Sequence, residues 1–249
     1  MRSLVPRFVF LILIVFGGGL TLCARTATFS GRVTEQSTGE GIAGVAVVGE
    51  ANQTGARVAV TDTQGNYTLP FGPNTTIRLR AYKTNYFFNP AIVGYSSLGG
   101  FPLTGTFTQN FAGTNFPVLV LARAPVLLTE DNSLNALALD GVMRTRDPFS
   151  LTNENYFESD KRTRLTLLLV DLDLYPNQGE TISIVTAQAQ DALLRTYALA
   201  VEDLRKVPNV PWMSQLMVRL PTELAGVTDV NVTVSARGLA SNAARIRLK

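Results

Sequence analysis

The sequence predicts an all-β chain, folded as two consecutive β-sandwich domains behind an N-terminal signal peptide. Three observations predict it. Apolar and polar residues alternate over short runs, as in Thr76 to Ala81, where Ile77, Leu79 and Ala81 share one face and Thr76, Arg78 and Arg80 the other. Turn-forming Gly, Asn and Pro recur every few residues, and no helical period is sustained. Pro117 and Pro125 punctuate the middle of the chain, with a separate set of alternating runs on either side. With 46% of its 249 residues hydrophobic and 16% charged, the chain can bury two cores and does not read as disordered.

The first segment, residues 1–24, reads as an address. Arg2 and Arg7 precede an apolar run from Phe8 to Leu22, broken by Gly17, Gly18, Gly19 and Thr21. The run is short for a membrane span, which needs about 20 apolar residues, and it fits a secretory signal peptide. Cleavage after Ala24 leaves a mature chain beginning near Arg25. Two alternatives stand beside it. Leu20-Thr21-Leu22-Cys23 resembles a lipobox, with Cys23 as the lipid carrier, although Leu22 replaces the small residue expected there. An uncleaved anchor is the other.

In the next stretch, residues 28–123, Gly44 to Val48 reads as a strand, and Thr61 to Leu69 as strand, turn, strand. Gly65 supplies a positive φ in that turn, and Asp62 hydrogen-bonds nearby backbone amides. Val118 to Leu121 is expected to be the last strand of this domain. The elements Gly31-Arg32-Val33, Thr38-Gly39-Glu40-Gly41-Ile42-Ala43-Gly44-Val45 and Thr61-Asp62 through Gly65-Asn66-Tyr67 together resemble the carboxypeptidase regulatory-like family. Tyr86 to Pro90 and Asn110-Phe111 extend the likeness over essentially the whole domain. The resemblance implies a seven-stranded transthyretin-like sandwich that is not catalytic and serves as a spacer, folding aid or adhesive module. Related collagen-adhesin B-type domains can carry a Lys–Asn crosslink. Lys83 lies late in this domain rather than in its first strand, and is expected to be a solvated lysine.

Residues 124–249 form the second expected domain. Arg164 to Leu174 reads as an apolar strand. A change of phase within Thr181 to Gln190 suggests a β-bulge. Alternating runs around Tyr197–Val201, Leu216–Leu220, Val230–Ala236 and Ala244–Leu248 follow, with a short helix expected near Thr222 to Ala225. Arg146 to Thr152, Val210-Pro211-Trp212, Leu220-Pro221, Leu224-Ala225-Gly226, Val230-Asn231-Val232 and Ser241-Asn242 resemble uncharacterised immunoglobulin-like C-terminal domains of bacterial secreted proteins. No activity follows from that likeness.

The chemical inventory is narrow. The chain has no histidine, which removes the commonest general base and metal ligand, and its one cysteine lies in the export segment. No catalytic, cofactor-binding or metal-ligating residue is therefore assigned. The net charge of +3 is spread along the chain, without the basic stripe that nucleic acid would require. Asp171 and Asp173, two apart, could act as a carboxylate pair, but read as the polar face of an edge strand. Asp62 reads as a turn cap rather than a calcium ligand.

Asn52, Asn66, Asn74 and Asn231 begin Asn-x-Ser/Thr triplets and read as ordinary turn and strand polarity. The polar connection 145–163 and the indole after Pro211 supply one possible ligand-contact set: Phe149, Tyr156, Phe157 and Trp212. The expected protein is exported, to the periplasm, outer surface or extracellular space, and non-enzymatic. It would contribute adhesion, spacing or assembly with an envelope protein or polysaccharide as partner. The alternative is a carbohydrate-binding accessory protein. Exposure of the four aromatics separates the two readings. Membrane contact is expected only through the signal segment or a lipid on Cys23.

Overall fold

A computed structural model describes residues 26–116 and 123–249. The candidate signal peptide, Cys23 and the expected strand at Val118 to Leu121 lie outside them. Among the described residues the fold is all-β, with three single-turn 3-10 helices and no α-helix. No helix among them is long and apolar enough to cross a membrane.

The first half contributes β1 (Ala27–Glu35), β2 (Ala46–Ala51), β3 (Gly55–Val60), β4 (Asn66–Phe71), β5 (Thr76–Tyr82), β6 (Tyr86–Asn89), β7 (Val93–Ser96), β8 (Gly105–Thr108) and β9 (Phe111–Asn115). One sheet runs β4-β1-β9-β6, with β8 also on β1, and the other runs β3-β2-β5-β7. Between them lie Phe29, Val47, Leu69, Phe71, Ile77, Leu79, Phe88 and Phe111. Phe29 stacks on Phe107 and meets Phe71 and Tyr95 edge-on, which locks the two sheets face to face.

The turn between β3 and β4 forms as its residues dictate. Asp62 Oδ1 accepts the N–H groups of Gln64 at 2.9 Å and Asn66 at 2.8 Å, and Gly65 takes φ 80°. A Cβ at Gly65 would stand 2.2 Å from Val33 O, so the turn also needs glycine for space. Asn74 is fully buried. Its side chain accepts from Gln53 and Thr54 N–H and donates to Thr54 Oγ1 and Gly72 O, a structural role that leaves it no surface for a glycan. Lys83 Nζ donates to Ala43 O at 2.8 Å.

The second half contributes β10 (Val126–Leu127), β11 (Ala138–Asp140), β12 (Arg164–Val170), β13 (Val185–Gln190), β14 (Thr196–Val207), β15 (Val210–Arg219), β16 (Asp229–Ala236), β17 (Leu239–Ala240) and β18 (Ala244–Arg247). They form one nine-stranded sheet that folds over on itself. The twelve-residue β14 is the corner. Its residues Thr196 to Leu199 pair with β13, and Ala200 onward pair with β15, with a register shift between Val201 and Asp203. The opposite side is closed by backbone bonds from Ala136 N–H to Arg245 O at 2.7 Å and from Phe149 N–H to Arg247 O at 2.8 Å. The enclosed core holds Leu165, Leu167, Leu169, Val185, Leu216, Val218, Val232 and Ile246.

Two expectations need correction here. The phase change before β13 is not a bulge. It is a 3-10 helix, Ile182–Ile184, whose start is capped by the Thr181 side chain, and the register irregularity lies in β14. The strand expected through Leu174 stops at Val170, because Asp171 takes φ 61° and turns the chain out of the sheet. The short helix expected near Thr222 is present as the 3-10 helix Thr222–Leu224.

Candidate functional site at the junction of the two sandwiches

The site begins with two strands that are buried on both faces. In β2, Ala46, Val47 and Val48 are all fully buried, and β12 is nearly continuous Leu and Val. A strand reads as an unbroken apolar run when both faces are covered. One face of each belongs to its own sandwich core. The other faces meet. Ala46, Val48, Ala56 and Tyr82 of the first sandwich form one cluster with Val126, Leu128 and Val170 of the second, flanked by Val58, Leu168, Trp212 and Met213.

Beside this apolar patch is a charged one. Arg80 on β5 lies with its Nη1 2.8 Å from Ala124 O, its Nε 3.4 Å from Glu50, and its Nη1 3.5 Å from Asp171 Oδ2. Arg123 approaches the same oxygen at 4.0 Å and donates to Tyr86 O at 3.1 Å. Two residues on, Asp173 accepts from the Tyr82 hydroxyl and from Thr84 Oγ1 and contacts the Lys206 ammonium. Lys206 also reaches Tyr82 Oη at 3.2 Å. Both carboxylates come from the second sandwich, and Arg80, Tyr82 and Thr84 from the first. The polar groups therefore join the same two bodies as the apolar patch.

The electrostatics follow from burial. Asp171 Oδ2 has guanidinium groups near it but no hydrogen bond among the described residues. Desolvation pushes its pKa up to about 6, against the opposing pull of Arg123 and Arg80. Tyr82 is pushed well above the usual phenol range by burial and by the Asp173 charge.

A group whose folded pKa is raised contributes stability that is full below its unfolded value, here near 3.8, and lost as pH rises through about 6. A displacement of that size corresponds to on the order of 3 kcal/mol. Asp147 and Glu180 act in the opposite sense: hydrogen bonds from Arg247 and Arg237 hold them low, so their contribution is lost only as pH falls toward their folded values. The Asp171→Asn variant is thus expected to lack the fall in stability between pH 4 and 6 that the parent chain shows. Urea unfolding at half-unit pH steps checks this. Asparagine suits the left-handed backbone there.

The cluster has little room for chemistry. Asp171 borders a void of about 20 Å³, space for one water. A groove of about 850 Å³ opens next to it, between Leu172, Tyr175, Leu204 and Pro211, and the charged groups of the cluster that reach it are Asp173 and Lys206, with Thr84 beside them. The two charges neutralise each other. No group of three or more potential metal ligands occurs among the described residues.

The aromatic set from the sequence is not brought together as one exposed row. Phe149 and Tyr156 are buried, Phe149 in the second core and Tyr156 with its hydroxyl bonded to Arg164 O at 3.1 Å. Trp212 is half-buried against the junction. Phe157 stands fully exposed on its turn. Asp171 and Asp173 do not form the polar face of an edge strand; they lie past the end of β12, buried. Sequence reasoning missed Arg80, Tyr82, Arg123 and Lys206. The available signal was the pair of acids directly after an unbroken apolar strand, a place where carboxylates need buried partners.

No family model matches the chain, and no curated protein matches it. Solved structures similar to it over 90% of its length include the Bacillus anthracis TIE protein at 4% identity and a TM-score of 0.30. BcpA, the major pilin subunit of Bacillus cereus, shows 9% identity, a TM-score of 0.29 and 69% of its own chain covered, again over 90% of this one. A DUF3823 family protein from Bacteroides ovatus shows 10% identity, a TM-score of 0.27 and 100% coverage. This chain spans 32% of the TIE protein. Values at this level assign the chain to no family.

Proposed function

We propose that the protein is an exported, non-catalytic module of the cell envelope or extracellular space, in which two sandwiches, about residues 28–123 and 124–249, act as one rigid spacer. The observation that carries the reading is the junction. Asp171 meets Arg80 and Asp173 meets Tyr82 across the two sandwiches, and Asp173, which borders the neighbouring groove, is held there by Lys206. The carboxypeptidase regulatory-like resemblance of the first half and the apolar leader support the same reading. An envelope protein or polysaccharide is the partner class. A sugar platform on Phe149, Tyr156, Phe157 and Trp212 lacks the row of exposed rings it needs, since of the four Phe157 alone is fully exposed.

The purified mature chain is expected to turn over no peptide, ester or glycoside. It is also expected to unfold in one cooperative transition by both near- and far-ultraviolet circular dichroism. Two well-separated transitions would remove the rigid spacer. Turnover abolished by Asp173→Asn would make the junction an active site.

A further inference from the structure

The groove between the outer edges of β3 and β4 carries an inference of its own. Just past β3, Thr61 N–H donates to Val45 O at 2.9 Å, and within β3 the register pairs Ala59 with Val47 and Arg57 with Gly49. Those residues turn their backbone groups toward β2, so Ala56, Val58 and Val60 turn theirs outward. At Ala56 the edge is already occupied by the second sandwich. Ala56 N–H donates to Thr129 Oγ1 at 2.9 Å, and Thr129 N–H to Ala56 O at 3.4 Å.

On the facing edge, Gly65 O takes Val33 N–H, so Tyr67 and Leu69 face β1 and Asn66, Thr68 and Pro70 face outward. Asp62 closes Asn66, and Arg57 donates to Pro70 O at 2.8 Å. The outward groups of Val58, Val60 and Thr68 have no hydrogen-bond partner among the described residues. Between them lies a groove of about 660 Å³, walled at one end by Leu128, Thr129 and Leu137 of the second sandwich.

We propose that this groove takes an extended strand of a partner polypeptide, which pairs with Val58 and Val60 and so continues the pairing that Thr129 makes at Ala56. Continuity with that existing contact is what selects a strand. The next open donors and acceptors lie in line with it at the strand repeat, and the lining of Val58, Val60, Leu69 and Leu137 accepts alternate apolar side chains. The inference rests on the reading of the chain as a non-catalytic module and names the chemistry of its partner.

The test uses the full mature chain and a panel of seven-residue peptides with Val, Ile or Thr at alternate positions and Lys at both ends. Amide hydrogen exchange is followed by nuclear magnetic resonance. At least one peptide is expected to slow exchange at Val58, Val60 and Thr68 by about tenfold or more. Val60→Pro removes an outward donor at an edge position, where proline is tolerated as Pro70 already shows on β4, and should abolish the effect at Val58 and Thr68. Val60→Lys keeps the backbone donor but places a charge on the groove wall, and should weaken binding by about tenfold. It serves if the proline variant does not fold.

Failure of every peptide to slow these amides overturns the docking site, while turnover and cooperative unfolding test the module reading separately. Slowing that survives both substitutions also overturns it. So does slowing that appears without peptide and grows with protein concentration, because a second copy would then be the occupant.

Discussion

Replacing Arg80 by alanine is expected to lower the unfolding free energy by about 3–5 kcal/mol, the range for removing one partner of a buried ion pair. The guanidinium lies between Glu50, Asp171 and Ala124 O, with its side chain 8% exposed. Its loss leaves Asp171 with Arg123 at 4.0 Å and leaves the Ala124 carbonyl without its donor. The penalty should shrink as pH falls below about 6, because Asp171 then takes up a proton and no longer needs a counter-ion. Arg78 is the control. It lies on the same face of the same strand but is exposed, and Arg78→Ala should change stability by less than about 0.5 kcal/mol. Urea titrations at pH 5 and pH 7.5 measure both variants. Equal losses at the two arginines would mean that the second sandwich does not cover β5.

Gly55→Ala is expected to cost about 2–5 kcal/mol and to loosen the junction. The residue takes φ 77°, which costs an L side chain about 1–2 kcal/mol by itself. An added Cβ would also stand 2.0 Å from Thr129 Oγ1 and 2.2 Å from Ser133 O, so the hairpin of the second sandwich must move away. Overpacking of that kind adds about 1–3 kcal/mol. Gly39 separates the two effects. It has φ 73° but nothing within 4 Å of an added Cβ, so Gly39→Ala should show the backbone cost alone. Guanidinium unfolding of the pair gives the difference. Faster amide exchange at Ala56 and Thr129 in the Gly55 variant would place the damage at the junction.

Much of the fold was legible in local pattern. Strand β5 follows from the alternation of Ile77, Leu79 and Ala81, and the β3–β4 turn from Asp62 and Gly65, because a two-residue period and a positive φ are properties of a few neighbouring residues. The 3-10 helix before β13 was not legible: an apolar residue on each side of a one-residue slip looks the same as a bulge until the Thr181 cap is seen. In the aromatic set, Phe149 lies at a bridge to Leu248, ninety-nine positions along the chain, and no local pattern announces that contact.

The residues themselves determined that this is an all-β chain with a narrow set of reactive groups. They also place the apolar runs Val45 to Val48 and Leu167 to Val170 at β2 and β12, and such runs fit strands covered on both faces. Only the tertiary structure decided what supplies that cover. Arg78 and Arg80 are equivalent by alternation, yet one is in water and the other is buried. The difference arises because the second sandwich packs across one end of β5 and brings Asp171 and Asp173, about ninety residues away, against Arg80 and Tyr82. Alternation assigns a side chain to a face of its own sheet; whether that face meets water or another sheet depends on chain far away in sequence.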